Sequence, residues 1–145
     1  MLDPIEKLLI EQECRDLTAR YADACNRWNL DDFIAVFTED AVWQRPEKPP
    51  MNGHGEIRAF METVPTDRVM RHINGHALIT ADSESTAHGI STTTVYTTRG
   101  TRDIPAPIEG VEMIVEYRDQ FEKTPAGWLI ARRDTTVVFA ANPPD

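Results

Sequence analysis

The beginning of the chain has the hydrophobic periodicity of a helix. Apolar side chains recur in steps of three and four residues, at Ile10, Cys14, Leu17, Tyr21, Ala24 and Trp28. These steps are the spacing of one face of an α-helix. Asp3, Pro4 and Glu6 are typical of a helix start, because Asp caps, Pro suits the first position and Glu completes a capping box. The pattern predicts a helix from about Pro4 to Asn26.

Short polar side chains then interrupt the pattern and precede several shorter elements. Asn26, Asn29 and Asp31 cluster at the interruption, where such side chains can cap a helix or turn the chain. Beyond them we predict a helix over residues 31–37, a strand over 41–44, a Pro- and Gly-rich loop over 45–55 and a helix over 56–63.

The second half of the chain has the pattern of long strands. Segments rich in β-branched and aromatic residues, separated by turn residues, cover residues 69–80, 85–98, 108–121 and 128–139. The third segment alternates, with Met113, Val115 and Tyr117 on one side. Glu112 and Glu116 fall on the other side, which we expect to face away from the interior.

Helices followed by a four-strand meander predict an α+β fold. Strands this long require strong twist and curl. A curled sheet closed by helices leaves a cavity between them, which is a natural site for a small ligand. We expect one domain over residues 1–145.

Composition and charge narrow the function. The chain has 145 residues and a formal net charge of −9, which argues against nucleic-acid and anionic-membrane partners. No segment approaches the roughly 20 apolar residues of a membrane span, and the N-terminus lacks the features of a signal peptide. We therefore expect a cytoplasmic protein.

Cys14 and Cys25 fall on one predicted helix, roughly 16 Å apart and beyond disulfide reach. We expect two reduced core thiols, with a nucleophilic Cys25 as the alternative.

Several segments together resemble a known family. They are RYADACNRWNLDDFIAVFTEDAVW over residues 20–43, then Gly55, Ile57 and Phe60, then RHINGHALI, the strand Tyr117–Phe121, and GWLIARR. In order and spacing they resemble the SnoaL-like families of the nuclear transport factor 2-like superfamily, over nearly the whole chain. The resemblance implies a cone-shaped α+β barrel, in which a long helix and two shorter helices close a curved mixed sheet.

The resemblance also implies a chemistry. Similar families include scytalone dehydratase, polyketide cyclases and ketosteroid isomerase, and most of these enzymes need no cofactor, so none is expected here. In the dehydratase-like branches a histidine of the first long strand pairs with a carboxylate at the end of the first helix. That pair moves a proton, while tyrosines polarise a carbonyl or a leaving group.

Transferred to this sequence, the resemblance gives an incomplete catalytic set. His72 stands at the position of the catalytic histidine, and Tyr21 at that of a helix tyrosine reaching the pocket. The carboxylate position holds Asn26, which can orient an imidazole but cannot stabilise its charged form as a carboxylate would. Asp23 is an alternative, although its place on the helix directs it toward solvent. We take His72, Tyr21 and Asn26 as the candidate catalytic residues.

Further candidates would bind the substrate, namely Trp43, Tyr96 and Met113. Trp43 follows the second helix, and Tyr96 lies near the position at which scytalone dehydratase has a second histidine. The alternative for His72, Tyr21 and Trp43 is that they are core side chains without a chemical role. Arg132 and Arg133 are neighbours in the last strand and must point to opposite faces.

Three functions remain open at this point. The first is a cofactor-independent lyase or isomerase acting on a small hydrophobic, oxygenated substrate. The second is a binding protein with the same cavity and no chemistry, and the third is a structural subunit of an oxygenase. Val137 and Phe139 add an apolar face to the last strand, which predicts a homodimer. The residue pattern offers no metal site.

Overall fold

Three helices and two short strands precede four long strands; the hydrophobic pattern predicts the three helices, the first short strand and the four long strands. A computed structural model describes residues 1–143. The elements are α1 Pro4–Arg27, α2 Leu30–Ala35, β1 Phe37–Gln44, β2 Met51–Asn52, α3 Gly53–Glu62, β3 Arg68–Ala81, β4 Thr86–Arg99, β5 Val111–Thr124 and β6 Gly127–Ala140. In this described part of the chain, no helix combines the length and the apolar character that crossing a membrane requires.

The ends of α1 follow from its sequence. Asp3 accepts hydrogen bonds from the backbone N–H groups of Ile5 and Glu6, and the Glu6 side chain accepts one from Asp3 N. This is the predicted capping box. At the other end Trp28 adopts the left-handed conformation, with φ at 57°, and terminates the helix. Asn29 then caps α2 by accepting a hydrogen bond from Asp32 N.

The first strand begins earlier than the sequence predicts. Phe37 belongs to β1 and not to the second helix, which ends at Ala35. The physical reason is tertiary pairing, because β1 lies parallel to β6 and Phe37 is opposite Ile130. The predicted loop over residues 45–55 also contains β2, which pairs antiparallel with β1, and the first turn of α3.

The six strands form one mixed sheet in the order β2-β1-β6-β5-β4-β3. Strands β3 to β6 form the predicted antiparallel meander. The helix α1 packs across β3 and β6, and its apolar stripe joins the inner face of the sheet in one core. The α+β fold, with a long helix and two shorter ones closing a curved mixed sheet, is confirmed.

Register shifts decide which side chains of the sheet face inward. In the β4–β5 ladder Val95 pairs with Met113 and Tyr96 with Val111, so Glu112 is the additional residue of a bulge. A bulge redirects its side chain, and Glu112 lies inside, at the cavity described below. The expectation that Glu112 faces away from the interior is therefore wrong.

The centre of the core contains a buried ion pair. Arg133 donates from Nε and Nη2 to the two carboxylate oxygens of Asp119, at 2.8 Å each, and Nη2 also contacts Thr18 Oγ1 at 3.3 Å. The side chains of Arg133 and Asp119 are 0% and 1% exposed. The guanidinium carbon lies 4.3 Å from the ring centroid of Tyr21 and 4.0 Å from that of Tyr117. One cation thus links α1, β5 and β6.

The next residue back in β6 faces the opposite way, as predicted. Arg132 forms an ion pair with Asp134 at 3.0 Å on the outer face, and both side chains are 39% exposed. These two Arg–Asp pairs therefore differ chiefly in burial.

We expect the buried pair to dominate the stability of the sheet. Asp119→Ala should lower the free energy of unfolding by about 3–5 kcal/mol, because it leaves the Arg133 guanidinium buried without a counter-charge. Urea denaturation followed by circular dichroism measures this difference.

Asp134→Ala is the matched control, because it removes the carboxylate of an exposed Arg–Asp pair, and it should cost about 1 kcal/mol or less. The double variant Asp119→Leu, Arg133→Met should recover most of the loss, since it removes both buried charges. Equal losses for the two single aspartate variants would contradict the role of the buried pair.

Candidate functional site

A cavity of about 330 Å³ lies between the end of α1, the inner face of the sheet and the segment after β1. Its lining is mostly aromatic and aliphatic, with tryptophan, methionine and valine side chains on several sides. Charged and polar groups converge on it from different elements. The residues that line it include Tyr21, Cys25, Trp28, Trp43, Arg45, Met61, Arg68, Met70, His72, Val95, Arg99, Glu112, Met113, Val115, Tyr117, Thr135 and Val137.

The strand β3 brings His72 to this cavity, and the last turn of α1 brings Asn26 behind it. Asn26 Oδ1 lies 2.9 Å from the backbone N of His72 and 2.9 Å from its ring Nδ1. A backbone N–H can only donate, so the amide atom that faces it must be the oxygen. The ring Nδ1 that meets the same oxygen must then carry a proton. Asn26 thus fixes the Nδ1–H tautomer of His72.

The other ring nitrogen keeps its lone pair. Nε2 of His72 receives no hydrogen bond from the residues that the structure describes. Because Nδ1 faces Asn26, Nε2 is not the nitrogen that Asn26 occupies, and His72 lines the cavity. A neutral imidazole held in this way presents a proton acceptor to a bound ligand.

The surroundings of His72 keep the ring uncharged. Withdrawal of the ring from water lowers its pKa to about 4, and the positive charges of Arg133 and Arg45 act in the same direction. Glu112 opposes them. Asn26 does not offset this shift, since it supplies an acceptor oxygen but no negative charge to favour the imidazolium.

Two tyrosines of the cavity are potential hydrogen-bond donors, one against the histidine and the other against the first tyrosine. The ring of Tyr21 meets the ring of His72 edge-on, with 6.4 Å between the ring centroids. It also meets the ring of Tyr117 edge-on, with 5.5 Å between the centroids. Burial raises the pKa of Tyr21 well above its ordinary value and that of Tyr117 to about 12. Both hydroxyls therefore keep their protons at neutral pH and can donate to a ligand oxygen.

Four of the predicted site residues line the cavity, namely His72, Tyr21, Trp43 and Met113. Asn26 contacts His72 from behind. Their chemical roles stay predictions. Asp23 is no substitute for the missing carboxylate, because it is 61% exposed and pairs with Arg27 at 2.8 Å.

The prediction that Tyr96 binds the substrate is wrong. Tyr96 is 41% exposed and lies opposite Arg71 and Val111 on the outer face of the sheet. Its neighbour Val95 lines the cavity instead. Successive side chains of a strand point to opposite faces, so an error of one residue in register moves a side chain out of the site.

The structure also adds groups that the sequence reasoning missed as site residues. They are Tyr117, Glu112, Arg45, Arg68 and Arg99. Glu112 forms an ion pair with Arg99 at the cavity. Burial opposes ionisation of Glu112, but the hydrogen bond and charge of Arg99 help to hold its pKa below the ordinary value. Only the inward alternation of Tyr117 was visible in the sequence.

Both cysteines are free and buried, as expected. Cys25 lines the cavity, but burial raises its pKa to about 12. Because the thiolate is the reactive form, Cys25 is a poor nucleophile at neutral pH. Within residues 1–143, no three His, Cys, Asp or Glu side chains are grouped so as to hold a metal ion.

Comparison with known proteins identifies the family to which the chain belongs. The sequence model of the SnoaL-like domain family matches residues 6–134, whereas no curated protein matches the chain.

Several solved structures are similar to the chain. An NTF2-like protein with a cystatin-like fold from Novosphingobium aromaticivorans has a TM-score of 0.75 and 23% identity, over 90% of this chain and 84% of that one. A proposed scytalone dehydratase from the same organism has a TM-score of 0.76 and 22% identity, over 94% and 93%. ActVI-ORFA from Streptomyces coelicolor has a TM-score of 0.73 and 20% identity, over 88% and 96%.

At these identities the solved structures show the fold, and the family match covers nearly the whole sequence. The chain belongs to the SnoaL-like domain family and has the NTF2-like, cystatin-like fold.

Proposed function

We propose that the protein is a cofactor-independent lyase or isomerase, of the dehydratase or cyclase type, acting on a small hydrophobic, oxygenated substrate. His72 is the general acid/base, Asn26 orients it, and Tyr21 donates a hydrogen bond to the substrate. The observation that carries the proposal is the double contact of Asn26 Oδ1 with the backbone N and ring Nδ1 of His72, at 2.9 Å each. It leaves Nε2 without a partner among the described residues, at a largely apolar cavity.

The reaction would begin with proton transfer to His72. Nε2 removes a proton from a carbon next to a carbonyl, and the electron pair of the broken C–H bond moves to the carbonyl oxygen. The phenol groups of Tyr21 and Tyr117 donate to that oxygen as negative charge develops on it. The imidazolium then returns its proton to a leaving hydroxyl in a dehydration, or to another carbon in an isomerisation.

The remaining cavity residues would hold the apolar part of the substrate. Trp43 is 2% exposed and lies in a cluster of aromatic rings with Phe33, Phe37 and Phe60. Met113 lies opposite Val95 on the neighbouring strand. A rigid aromatic wall and a flexible thioether in one cavity suit a flat or cyclic hydrocarbon skeleton. Similarity to the proposed scytalone dehydratase supports this class at the level of the fold.

A second candidate is a binding protein with the same cavity and no chemistry. The specific observation in its favour is the uncharged partner of His72. With a pKa of about 4, the imidazolium is a stronger acid than usual, so proton abstraction from a weakly acidic carbon is unfavourable. The experiment below separates the two candidates.

We also propose that the protein acts as a homodimer in the cytoplasm. Ile73 and Phe139 lie on the outer face of the sheet and are 55% and 65% exposed. They belong to one row of paired residues that crosses the strands and also contains Ile114. Val137 was expected to share this face but lines the cavity. The reason is a bulge in β6, because Phe139 and Val137 pair with successive residues of β5 and Val138 is the additional residue between them. Two free buried thiols support a reducing compartment.

The general-base role predicts a specific loss in His72→Ala. Wild-type protein should accelerate deuterium exchange at the acidic CH₂ group of 2-tetralone, a bicyclic ketone used as a surrogate substrate. His72→Ala should reduce that acceleration by about 10²–10⁴-fold, the usual effect of removing a positioned acid/base. NMR spectroscopy measures the exchange rate.

The matched control is His88→Ala, since His88 is exposed and pairs with Asp82 on the outer surface; it should exchange at the wild-type rate. If wild type and His72→Ala exchanged equally while both bound the ketone, the binding-protein candidate would replace the enzyme.

The same assay has an expected pH dependence. Only neutral His72 accepts a proton, and its pKa of about 4 keeps it neutral at higher pH. The protein-dependent exchange rate should therefore stay constant between about pH 5 and 8 and fall as pH drops through about 4. A fall centred near 6.5, the ordinary histidine value, would contradict the environment described for this ring.

Self-association is checked by sedimentation velocity at micromolar concentration. Wild type should sediment with the mass of two chains, and Phe139→Asp with the mass of one, because a charge would have to be buried in the apolar contact. Leu8→Asp is the control, since Leu8 is 63% exposed on α1 and should leave the dimer intact. A wild-type protein with the mass of one chain would remove the dimer proposal.

A further inference from the structure

The cavity contains more positive than negative charge. Arg45, Arg68 and Arg99 line it, and Glu112 is the one acidic side chain among its described lining residues. Arg99 is neutralised by its ion pair with Glu112. The excess is local, because the chain as a whole has a net charge of −9. Arg45 and Arg68 are therefore the two arginines of this described lining that its one carboxylate does not neutralise.

Arg45 is held in place without a counter-ion. Its guanidinium carbon lies 5.5 Å from the ring centroid of Trp43 and 5.3 Å from that of Phe60. Among the described residues, no carboxylate lies within salt-bridge distance of it. Stacking on aromatic faces fixes the plane of a guanidinium and leaves its N–H donors free at the edges.

Arg68 is also incompletely satisfied. Its side chain is 15% exposed, and its one ion pair in the described chain, with Asp67 at 3.5 Å, involves a carboxylate that is itself 70% exposed. The Nε atom is buried and has no hydrogen-bond partner among residues 1–143. The backbone is nevertheless fixed, since Trp28 Nε1 donates to the Arg68 carbonyl at 3.4 Å.

Two further cavity residues have buried polar atoms that no described residue satisfies. They are Trp43 Nε1 and Thr135 Oγ1. The indole N–H can only donate, and so can the guanidinium of Arg68. Buried donors without acceptors cost free energy, and a ligand that supplies acceptor oxygens removes that cost.

From this geometry we propose that the ligand of the cavity is an organic anion, a carboxylate on a flat apolar body, with its carboxylate bound by Arg45 and Arg68. The proposal rests on the same cavity as the proposed function and adds the charge of the substrate to it. His72 is neutral and cannot supply this counter-charge, so the two arginines must. Trp43 Nε1 lies in the same wall and offers an additional donor.

The test compares two ligands of one shape that differ in charge. The probes are 2-naphthoate and 2-naphthamide, and their dissociation constants are measured by calorimetry at pH 7 with wild-type protein. Charge-assisted hydrogen bonds to a carboxylate are roughly twice as strong as neutral ones, so the acid should bind about 10-fold or more tighter than the amide. This comparison requires no variant and is independent of folding defects.

The variants locate the preference. Arg45→Gln and Arg68→Gln should each remove most of the acid-over-amide ratio by weakening the acid about 10-fold while changing the amide little. Arg71→Gln is the matched control, because Arg71 is an exposed arginine on the outer face of the same strand as Arg68, and it should keep the wild-type ratio. Circular dichroism verifies that each variant is folded.

One further variant separates this inference from the proposed function. His72→Ala should keep the acid preference, because the arginines and not the histidine recognise the charge. Equal affinity of wild type for acid and amide, including no measurable binding of either at millimolar concentration, would overturn the anion proposal and leave the exchange assay to judge the enzyme. A preference that survives in Arg45→Gln and Arg68→Gln would overturn it as well.

Discussion

The site depends on one interaction, the buried ion pair between the guanidinium of Arg133 and the carboxylate of Asp119. The guanidinium is fully buried, bonded to Asp119 on the next strand and enclosed by the rings of Tyr21 and Tyr117. A buried ion pair requires a close, well-aligned geometry, and the bonds of Arg133 Nε and Nη2 to Asp119 and of Nη2 to Thr18 therefore fix the spacing of α1, β5 and β6. The two tyrosines that face the cavity are positioned by the same contact.

The positive charge of Arg133 also affects the ionisation of His72. Arg133 and Arg45 are the charges that, after burial, lower the pKa of His72. With a carboxylate at position 26 the imidazolium would have a counter-charge close by. With Asn26 it has an acceptor oxygen only, and the ring rests in its neutral, Nδ1-protonated form. A bound anion would add negative charge to the cavity, so substrate charge and the basicity of His72 are linked through the arginines.

The fold could be predicted from the sequence because its strongest patterns are local. The apolar stripe of α1, its capping box and the four long strands each follow from residues close together in the chain. The start of β1 was missed because its first residues are held by parallel pairing with β6, which leaves no local pattern.

The site was predictable only in part, for a related reason. His72 and Asn26 are 46 positions apart, and a resemblance, not a pattern, brought them together. Glu112 was assigned to the wrong face because it is the additional residue of a bulge in β5, which breaks the alternation on which that assignment rested. Tyr96 was assigned by resemblance, whereas the regular alternation of β4 places it with the outward side chains. Arg45 and Arg68 have no periodic signal, since each lies at the edge of an element where the chain turns toward the cavity.

Asn26 holds His72 as a neutral Nδ1–H imidazole at the cavity. ¹⁵N NMR of the ring nitrogens, recorded as a function of pH in wild type and in Asn26→Asp, tests it most directly. Wild type should have a single protonated ring nitrogen at pH 7 and should protonate the second only near pH 4, and Asn26→Asp should raise the pKa of His72. A mixture of tautomers with a pKa near 6.5, unchanged by the substitution, would show that the two side chains are not in contact and would contradict it.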